Sequence, residues 1–169
     1  RLETGHKALS IQRLPVSDKL RNIAESFCEL AENKNLNYQL DIEPDIEWNT
    51  DISCFNKIAN NLISNAFKYT PDEKSIFLSV TCEKQILCLQ VKDEGRGINA
   101  QKLNRLFTRF DTLDEADPNM STGIGLSLVK ELLNLLHGTV RVDSKLGEGS
   151  SFFVRLPGSR DTFDADANA

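Results

Sequence analysis

Apolar side chains recur at helical spacing in three stretches of the chain, and each stretch predicts a helix that buries one face. These stretches are residues 18–33, 51–69 and 123–136, and the second has the clearest apolar stripe. A shorter helix is expected around residues 100–107. The pattern therefore predicts three amphipathic helices and a minor one.

Local signals predict where these helices begin and end. Ser17 is expected to be the N-cap of the first helix, because a serine hydroxyl can accept a hydrogen bond from a free backbone N–H group. Thr70-Pro71 should end the second helix, since a residue before proline is disfavoured in helical conformation. Gly138, which follows His137, is expected to cap the third helix at its C-terminus.

Alternating apolar and polar residues predict strands between the helices. The longest are residues 75–83 and 86–93, a predicted hairpin that turns at Lys84-Gln85 and places Cys82 and Cys88 on opposite faces. Shorter extended stretches are expected at residues 11–16, 38–42, 46–49, 139–144 and 151–156. Helices that alternate with hairpins favour an α/β sandwich, in which a mixed sheet carries helices on one face.

The chain divides into one domain and two short appendages. Residues 1–10 are expected to be the end of a helix or a linker, residues 11–157 the domain, and residues 158–169 an acidic, disordered tail without apolar pattern. Within the domain, residues 111–122 are polar and aperiodic. A loop of that length in a compact domain is usually functional or mobile.

Composition and charge narrow the function classes. Apolar residues make up 40% and charged residues 27% of the 169 residues, and the net charge is −5. This charge argues against a broad basic surface for nucleic acid or an anionic membrane, so a polyanion would have to bind through a few local donors. No apolar run approaches the roughly 18–20 residues that a membrane-spanning helix needs.

The cysteines and histidines do not predict a metal site. Four cysteines and two histidines give no zinc-site spacing, and no two cysteines form a CxxC pair. We expect reduced cysteines that pack in the core of a cytoplasmic domain.

Three polar side chains share one face of the second predicted helix. Asn61, Asn65 and Lys68 stand at positions i, i+4 and i+7, opposite the apolar stripe. An amide oxygen can ligate Mg²⁺ while the phosphates of a substrate supply further ligands, and lysine adds a positive charge. From this helix alone, a solvated polar face explains the pattern equally well.

A turn with two glycines follows the predicted strand 86–93, with the sequence Asp93-Glu94-Gly95-Arg96-Gly97-Ile98. Glycines let the backbone approach a ligand closely, and a carboxylate at a strand end can accept a hydrogen bond from an exocyclic amine. An ordinary turn is the simpler interpretation. A dinucleotide-binding fingerprint would need a second strand about 20 residues further on, and residues 109–121 have no strand pattern.

Two more segments of small residues lie later in the chain. Residues 121–126 lead from the polar loop into the third helix, where free N–H groups at a helix start can hold an anion. They are not a Walker A loop, because no GxxxxGK[ST] pattern occurs in the chain. Residues 147–152, which contain Gly147, Gly149 and Ser150, indicate only a tight connection between strands when taken alone.

In their order and spacing, these segments resemble the ATP-binding domain of two-component sensor histidine kinases. This domain belongs to the superfamily shared with gyrase, the ninety-kilodalton chaperones and the mismatch-repair ATPases. The matching motifs are the asparagine box at residues 61–70, the first glycine box at 93–98, the phenylalanine box at 106–110, the second glycine box at 122–126, and the closing strands at 137–140 and 147–157.

The resemblance covers about residues 11–157 and implies a fold and cofactors. The implied fold is the Bergerat-type ATP-binding fold, a two-layer α/β sandwich with a flexible ATP lid at residues 111–122. The implied cofactors are ATP and Mg²⁺. Residues 1–9 resemble the end of the dimerisation helix of this family.

The asparagine box would act on the phosphates and the metal. By the resemblance, Asn65 would ligate Mg²⁺ and Asn61 would orient the metal, water or attacking group near the γ-phosphate. Lys68 would contact phosphates, and Tyr69 would pack near the nucleotide. Asn61 and Lys68 are therefore the expected catalytic residues.

The first glycine box would bind the base. Asp93 would accept a hydrogen bond from the adenine amino group, directly and through a water shared with Ser150. Gly95 and Gly97 would let the chain pass close to the base, and Ile98 would line its pocket.

The second glycine box would bind phosphate, with the N–H groups of Gly123 and Gly125 holding phosphate oxygens. The nucleotide-binding residues expected in this box are Thr122, Gly123, Ile124, Gly125 and Leu126. Two positions depart from the family pattern: Ser121 stands where many relatives have glycine, and Thr112 stands where some have a basic residue.

The phosphoacceptor histidine of the family is expected to be absent from this chain. His6 is followed by Lys7 rather than by an acidic residue, and His137 stands at a helix C-terminus, where a capping or dipole role is the simpler one. Trp48, the lone tryptophan, is expected to be a packing residue.

The resemblance implies a protein-histidine kinase domain in two-component signalling. It would transfer the γ-phosphoryl group of Mg-ATP to a histidine on a dimerisation helix, with a response regulator receiver domain as a further partner and no nucleic acid. The parent protein would be a homodimer, with this part in the cytoplasm and membrane anchoring left open. The alternatives are a nucleotide-sensing regulatory module and an ATP-gated clamp of the same superfamily. Phosphotransfer to an added dimerisation-helix fragment would distinguish the kinase from the sensing module.

Overall fold

A computed structural model describes residues 8–103, 105 and 125–158. Within them the strands are β1 (Gln12–Pro15), β2 (Asn37–Ile42), β3 (Glu47–Thr50), β4 (Ser75–Glu83), β5 (Ile86–Asp93), β6 (Thr139–Lys145) and β7 (Gly149–Pro157). The helices are α1 (Val16–Glu25), α2 (Cys28–Asn33), α3 (Ile52–Tyr69), α4 (Ala100–Leu103) and α5 (Gly125–Leu135).

Five strands form one mixed sheet in the order β2-β4-β5-β7-β6. Strands β2 and β4 are parallel, and the other neighbours are antiparallel. Strands β1 and β3 pair separately as an antiparallel ribbon. The predicted α/β sandwich with a mixed sheet is confirmed in the described part of the chain.

The core lies between one face of the sheet and the helices. Every second side chain is buried along β5 and along β4 as far as Val80, and the other side chains of these strands are half-buried or exposed. Helix α3 has the largest buried set, which comprises Cys54, Phe55, Ile58, Ala59, Leu62, Ile63, Ala66 and Phe67. The inward side chains of the strands and the buried side chains of α3 therefore pack together in a single core.

The hairpin β4–β5 has the predicted turn. Lys84 and Gln85 have φ angles of 51° and 63°, as both central residues of a type I′ turn require. The register pairs Cys82 with Leu87 and Thr81 with Cys88, so the two cysteines lie on opposite faces, as predicted. All four cysteines are free.

The prediction of one helix over residues 18–33 with Ser17 as N-cap is wrong. The structure has two helices, α1 and α2, interrupted after Glu25. Ser17 lies inside the first turn of α1, where its hydroxyl donates to the carbonyl of Glu43 at 2.6 Å and accepts from the N–H of Ile46 at 2.9 Å. The serine therefore binds a loop distant in sequence instead of its own helix end.

The predicted glycine cap of α5 is also wrong in its detail. His137, with a φ of 59°, takes the left-handed conformation, and the N–H of Gly138 donates to the carbonyl of Leu133 at 2.8 Å. Gly138 is needed for space, because a Cβ there would lie 2.8 Å from the carbonyl oxygen of Arg155. His137 thus has the capping position that the sequence assigned to its neighbour.

Several predictions fall on residues that the structure leaves out. The ATP lid at 111–122, the phenylalanine box at 106–110, His6 and the acidic tail beyond residue 158 lie outside the described ranges. The minor helix predicted at 100–107 is present as α4 within the described residues. No helix in the described ranges is long and apolar enough to span a membrane.

We predict that Ser17→Ala destabilises the fold by about 1–3 kcal/mol, because it leaves two backbone groups without their hydrogen-bond partner at a site where Ser17 is 3% exposed. Urea unfolding measures the change. Ser26→Ala is the matched control, since its hydroxyl also binds a carbonyl, that of Ile23, but on the surface. Equal losses in the two variants would contradict this account.

Candidate functional site

Helix α3 is held at both ends by charged side chains. At its N-terminus the carboxylate of Asp51 accepts from the N–H of Cys54 at 3.0 Å and from the N–H of Ser10 at 2.9 Å. At its C-terminus the ammonium of Lys34 donates to the carbonyls of Phe67 and Thr70, each at 2.8 Å. A carboxylate at the start and a cation at the end both complement the helix dipole.

The polar face of α3 lies opposite its buried stripe, as predicted. Asn61 and Asn65 are half-buried, and Lys68 is exposed. The amide nitrogen of Asn61 donates to the carbonyl of Lys57 at 2.7 Å, while its oxygen faces α5, where a Cβ on Gly125 would lie 3.0 Å from it. The asparagine box and the start of α5 are therefore in close contact.

A carboxylate ends the buried row of β5. The side chains of Leu87, Leu89 and Val91 point into the core, and Asp93 continues the same alternation while being 6% exposed. Burial raises the pKa of Asp93 to about 6, although hydrogen bonds from the N–H groups of Gly95 and Ser150 lower it. The Gly95 bond is 2.9 Å long. Asp93 is therefore a poorly solvated acceptor.

The glycines of the first box allow close approaches between backbone segments. A Cβ on Gly95 would lie 2.5 Å from the carbonyl oxygen of Tyr69. Gly97 has a φ of 75°, and a Cβ there would overlap the carbonyl of Lys145. These contacts join the end of α3, the glycine box and the β6–β7 turn.

Ser144 ties the first glycine box to the last strand. Its hydroxyl accepts from the N–H of Ile98 at 2.8 Å and donates to the carbonyl of Gly149 at 2.8 Å. It is also 2.8 Å from the hydroxyl of Ser150, and because Ser144 has one proton to donate, Ser150 is the donor of that pair. This contact fixes Ser150 directly across the sheet from Asp93.

A small cavity lies between α3, the glycine box and β7. The described residues that line it are Asn65, Tyr69, Asp93, Arg96, Gly97, Ile98, Ser150 and Phe152. All except Arg96 and Phe152 are among the residues that the sequence assigned to nucleotide binding. The cavity volume is about 10 Å³, which is room for about one water.

The remaining predicted site residues are not among the described residues that line the cavity. Leu126 is 7% exposed and belongs to the hydrophobic core. Thr122, Gly123 and Ile124 lie outside the described residues. Lys68 and Asn61 do not line the cavity in the described part of the chain, and their roles stay predictions.

Sequence reasoning missed three residues that shape this region. Phe152 could have been found, because it follows Ser150 in the alternation of β7 that continues to Val154. Arg96 and Ser144 gave no signal, since their contacts are with Tyr69 and with the glycine box. The guanidinium carbon of Arg96 lies 4.5 Å from the centre of the Tyr69 ring.

Residues 50–160 match the family model described as "Histidine kinase-, DNA gyrase B-, and HSP90-like ATPase". The chain belongs to this family. The predicted membership in the ATPase superfamily that includes the histidine kinases is thereby confirmed, and the buried Asp93 lies in the matched region.

The relatives are histidine kinases much longer than this chain. Sensor histidine kinase TmoS of Ectopseudomonas mendocina is 33% identical over 160 residues, which cover 93% of this chain and 16% of that protein. Circadian input-output histidine kinase CikA of Thermosynechococcus vestitus is 40% identical over 131 residues, or 75% of this chain and 18% of that protein. The chain therefore spans less than a fifth of each.

Solved structures share the fold. The catalytic domain of histidine kinase ThkA, in a nucleotide-free form, superimposes with a TM-score of 0.79 at 18% sequence identity. The superposition covers 89% of this chain and 97% of the ThkA chain. Full-length ShkA in complex with AMPPNP superimposes with a TM-score of 0.78 at 24% sequence identity. The superposition covers 90% of this chain and 32% of the ShkA chain. At these identities the likeness concerns the fold.

We predict that the burial of Asp93 makes stability depend on pH. Its pKa is raised from 3.8 to about 6 in the folded state, so the favourable contribution of the protonated carboxyl is lost as the pH rises through about 6. Relative to Asp93→Asn, the unmodified protein should lose roughly 2 kcal/mol between pH 4 and pH 7. Urea unfolding of both proteins across this range measures the difference. A pH-independent difference would show that the carboxyl titrates normally.

Proposed function

We propose that this domain binds Mg-ATP and transfers the γ-phosphoryl group to a histidine on a dimerisation helix of the protein to which it belongs. The observation that carries the proposal is the buried carboxylate of Asp93 on a cavity that Asn65 and Tyr69 also line. An acceptor for an amino group, an oxygen ligand for a cation and an aromatic ring are thereby close together.

Asp93 is suited to recognise the adenine base. A buried carboxylate is costly unless donors surround it, and the N–H groups of Gly95 and Ser150 are two such donors. The exocyclic amino group of adenine would be a further donor, and Tyr69 offers a ring for the base to contact. Ile98 and Phe152 supply apolar walls of the same cavity.

The polar face of α3 fits a magnesium–phosphate group. Mg²⁺ prefers hard oxygen ligands and keeps several waters and phosphate oxygens, so the one amide oxygen of Asn65 is a sufficient protein ligand. When bound, the metal would neutralise charge on the phosphates during transfer. Lys68, less than one helical turn further on, has an exposed side chain that can contact the same phosphates.

The start of α5 supports the position of the phosphates. A Cβ on Gly125 would lie 3.0 Å from the amide oxygen of Asn61, and the N–H groups at the start of a helix favour an anion there. His137 lies beyond the opposite end of α5, a helix about 16 Å long at 1.5 Å per residue. This separation argues against His137 as the phosphoacceptor, in agreement with an acceptor on another domain.

The reaction depends on positioning more than on covalent chemistry. Phosphoryl transfer is accelerated mainly by holding donor and acceptor in line and by stabilising charge. Without the acceptor helix the nucleophile is missing, so the isolated domain should bind nucleotide and turn over little. The relatives are histidine kinases several times longer than this chain, and we infer a dimerisation domain and a response regulator receiver domain as partners.

We predict that Asn65→Ala and Asp93→Ala each reduce Mg-ATP binding to an undetectable level in calorimetry. The first removes the metal's protein ligand, and the second removes the acceptor for the base. Asn60→Ala is the matched control, because Asn60 lies on the same helix but is exposed and bonds only to the carbonyl of Asn56 among described contacts. It should bind as the unmodified protein does.

Phosphotransfer tests the reaction itself. Mixed with a dimerisation-helix fragment that carries the acceptor histidine, the domain should label that histidine from γ-labelled ATP. Undiminished binding in both site variants would refute the assignment of the site. Binding without any transfer would favour a nucleotide-sensing module.

A further inference from the structure

Three polar side chains form a row across the end of the sheet. Asp93 on β5 is directly opposite Ser150 on β7, and Ser150 is directly opposite Ser144 on β6. Directly opposite residues of antiparallel strands have their side chains on the same face, so the row leads from the buried carboxylate to the edge strand. Asp93 and Ser150 line the cavity of the proposed adenine site, whereas Ser144 is not among the described residues that line it.

The hydrogen bonds of Ser144 fix the direction of a proton. Its hydroxyl oxygen lies 2.8 Å from the carbonyl oxygen of Gly149, which can only accept, so the one proton of Ser144 points there. The N–H of Ile98 donates to one lone pair of the same hydroxyl oxygen at 2.8 Å. The hydroxyl of Ser150, also at 2.8 Å, therefore donates to the other lone pair.

With its proton bound to Ser144, the Ser150 hydroxyl offers only lone pairs to a ligand. The ionised carboxylate of Asp93 likewise only accepts hydrogen bonds. An amino group has two protons, and at ordinary hydrogen-bond lengths its two acceptors are about 5 Å apart. Directly opposite residues have Cβ atoms at a similar spacing of about 4.5–5.5 Å. The row therefore fits an amino group and opposes a carbonyl oxygen, which needs a donor.

We propose that Ser144 makes the site selective for an amino-bearing base, because it holds the proton of Ser150 away from the ligand. The proposal rests on the proposed adenine site, in which Ser144 acts as a positioning residue. Without Ser144, the Ser150 hydroxyl can donate to a carbonyl oxygen on the base. With Ser144 present, such a donation would break an existing hydrogen bond and gain nothing.

Ser144→Ala should therefore lower the ratio of the affinity for Mg-ADP to the affinity for magnesium inosine diphosphate about two- to tenfold, the value of one hydrogen bond. Inosine has a carbonyl where adenosine has its amino group. Both nucleotides have the same phosphates, so a general weakening of nucleotide binding cancels in the ratio. Competition against a fluorescent ADP analogue at pH 8 measures both affinities. At this pH Asp93, with a pKa of about 6, is ionised.

Two controls separate the fixed proton from a general loss of structure. Ser144→Thr keeps the hydroxyl and should keep the ratio of the unmodified protein. Ser151→Ala removes the next hydroxyl along β7, which points to the opposite face of the sheet, and should change neither affinity. Thermal unfolding of each variant verifies that the fold is intact.

A double-mutant cycle tests whether Ser144 acts through Ser150. Ser150→Ala alone should weaken ADP binding about two- to tenfold without weakening inosine diphosphate, because only an acceptor for the amino group is lost. In that background, Ser144→Ala should leave the ratio unchanged. The measurement on Ser150→Ala needs no Ser144 variant, so it tests the proposal even if Ser144→Ala does not fold.

Three results would overturn the proposal: an unchanged ratio in Ser144→Ala, equal losses of both nucleotides in Ser150→Ala, or an effect of Ser144→Ala on the ratio that persists without the Ser150 hydroxyl. If ADP binds the unmodified protein and Asp93→Ala abolishes that binding, such a result removes only the role of Ser144. If ADP does not bind the unmodified protein, or binds Asp93→Ala equally well, the adenine site itself is refuted.

Discussion

The rotation of helix α3 about its axis is the constraint on which the rest of the structure depends. Eight buried side chains on one side of the helix fix this rotation. Each large apolar side chain gains about 1.5–3 kcal/mol from burial, and a shift of one residue turns the helix by about 100°. Such a turn would bring Asn61 and Asn65 toward the sheet, so the core determines where the site's amides point.

The buried Asp93 links the end of helix α3 to the rest of the site through its hydrogen-bond partners. The carboxylate occupies a position that the alternation of β5 would give to an apolar residue, and N–H groups from two different segments compensate it. Those segments are joined to the end of α3 through the contact between Gly95 and the Tyr69 carbonyl. The domain thus keeps a poorly solvated acceptor, at a cost in stability, where a donor-bearing ligand can use it.

The fold was predictable where one period governs an element. Helix α3 and the β4–β5 hairpin have unambiguous patterns, and their predicted bounds are right to within one residue. The break between α1 and α2 was not predictable, because the apolar spacing continues through it. Phe27, at the break, stacks on Phe67 of α3 at 5.1 Å, a contact that no local pattern contains.

The residues of the site can likewise be separated into those that the sequence indicates and those that depend on contacts between distant segments. The family resemblance assigned Asn65, Asp93 and Ser150 to the nucleotide site, and all three line one cavity, while their roles stay predictions. Ser17 and Ser144 were missed or misassigned, since each hydroxyl bonds to a segment distant in sequence or to a turn whose path the sequence does not specify.

The central claim is that nucleotide binds between the asparagine box and the first glycine box. Titration of ¹⁵N-labelled protein with Mg-ADP tests this most directly. The account predicts that the amide signals of Tyr69, Gly95, Gly97 and Ser150 shift, while those of Gln39 and Thr81, on the open side of the sheet, stay unchanged. Shifts confined to the open side of the sheet, with Gly95 and Ser150 unaffected, would contradict it.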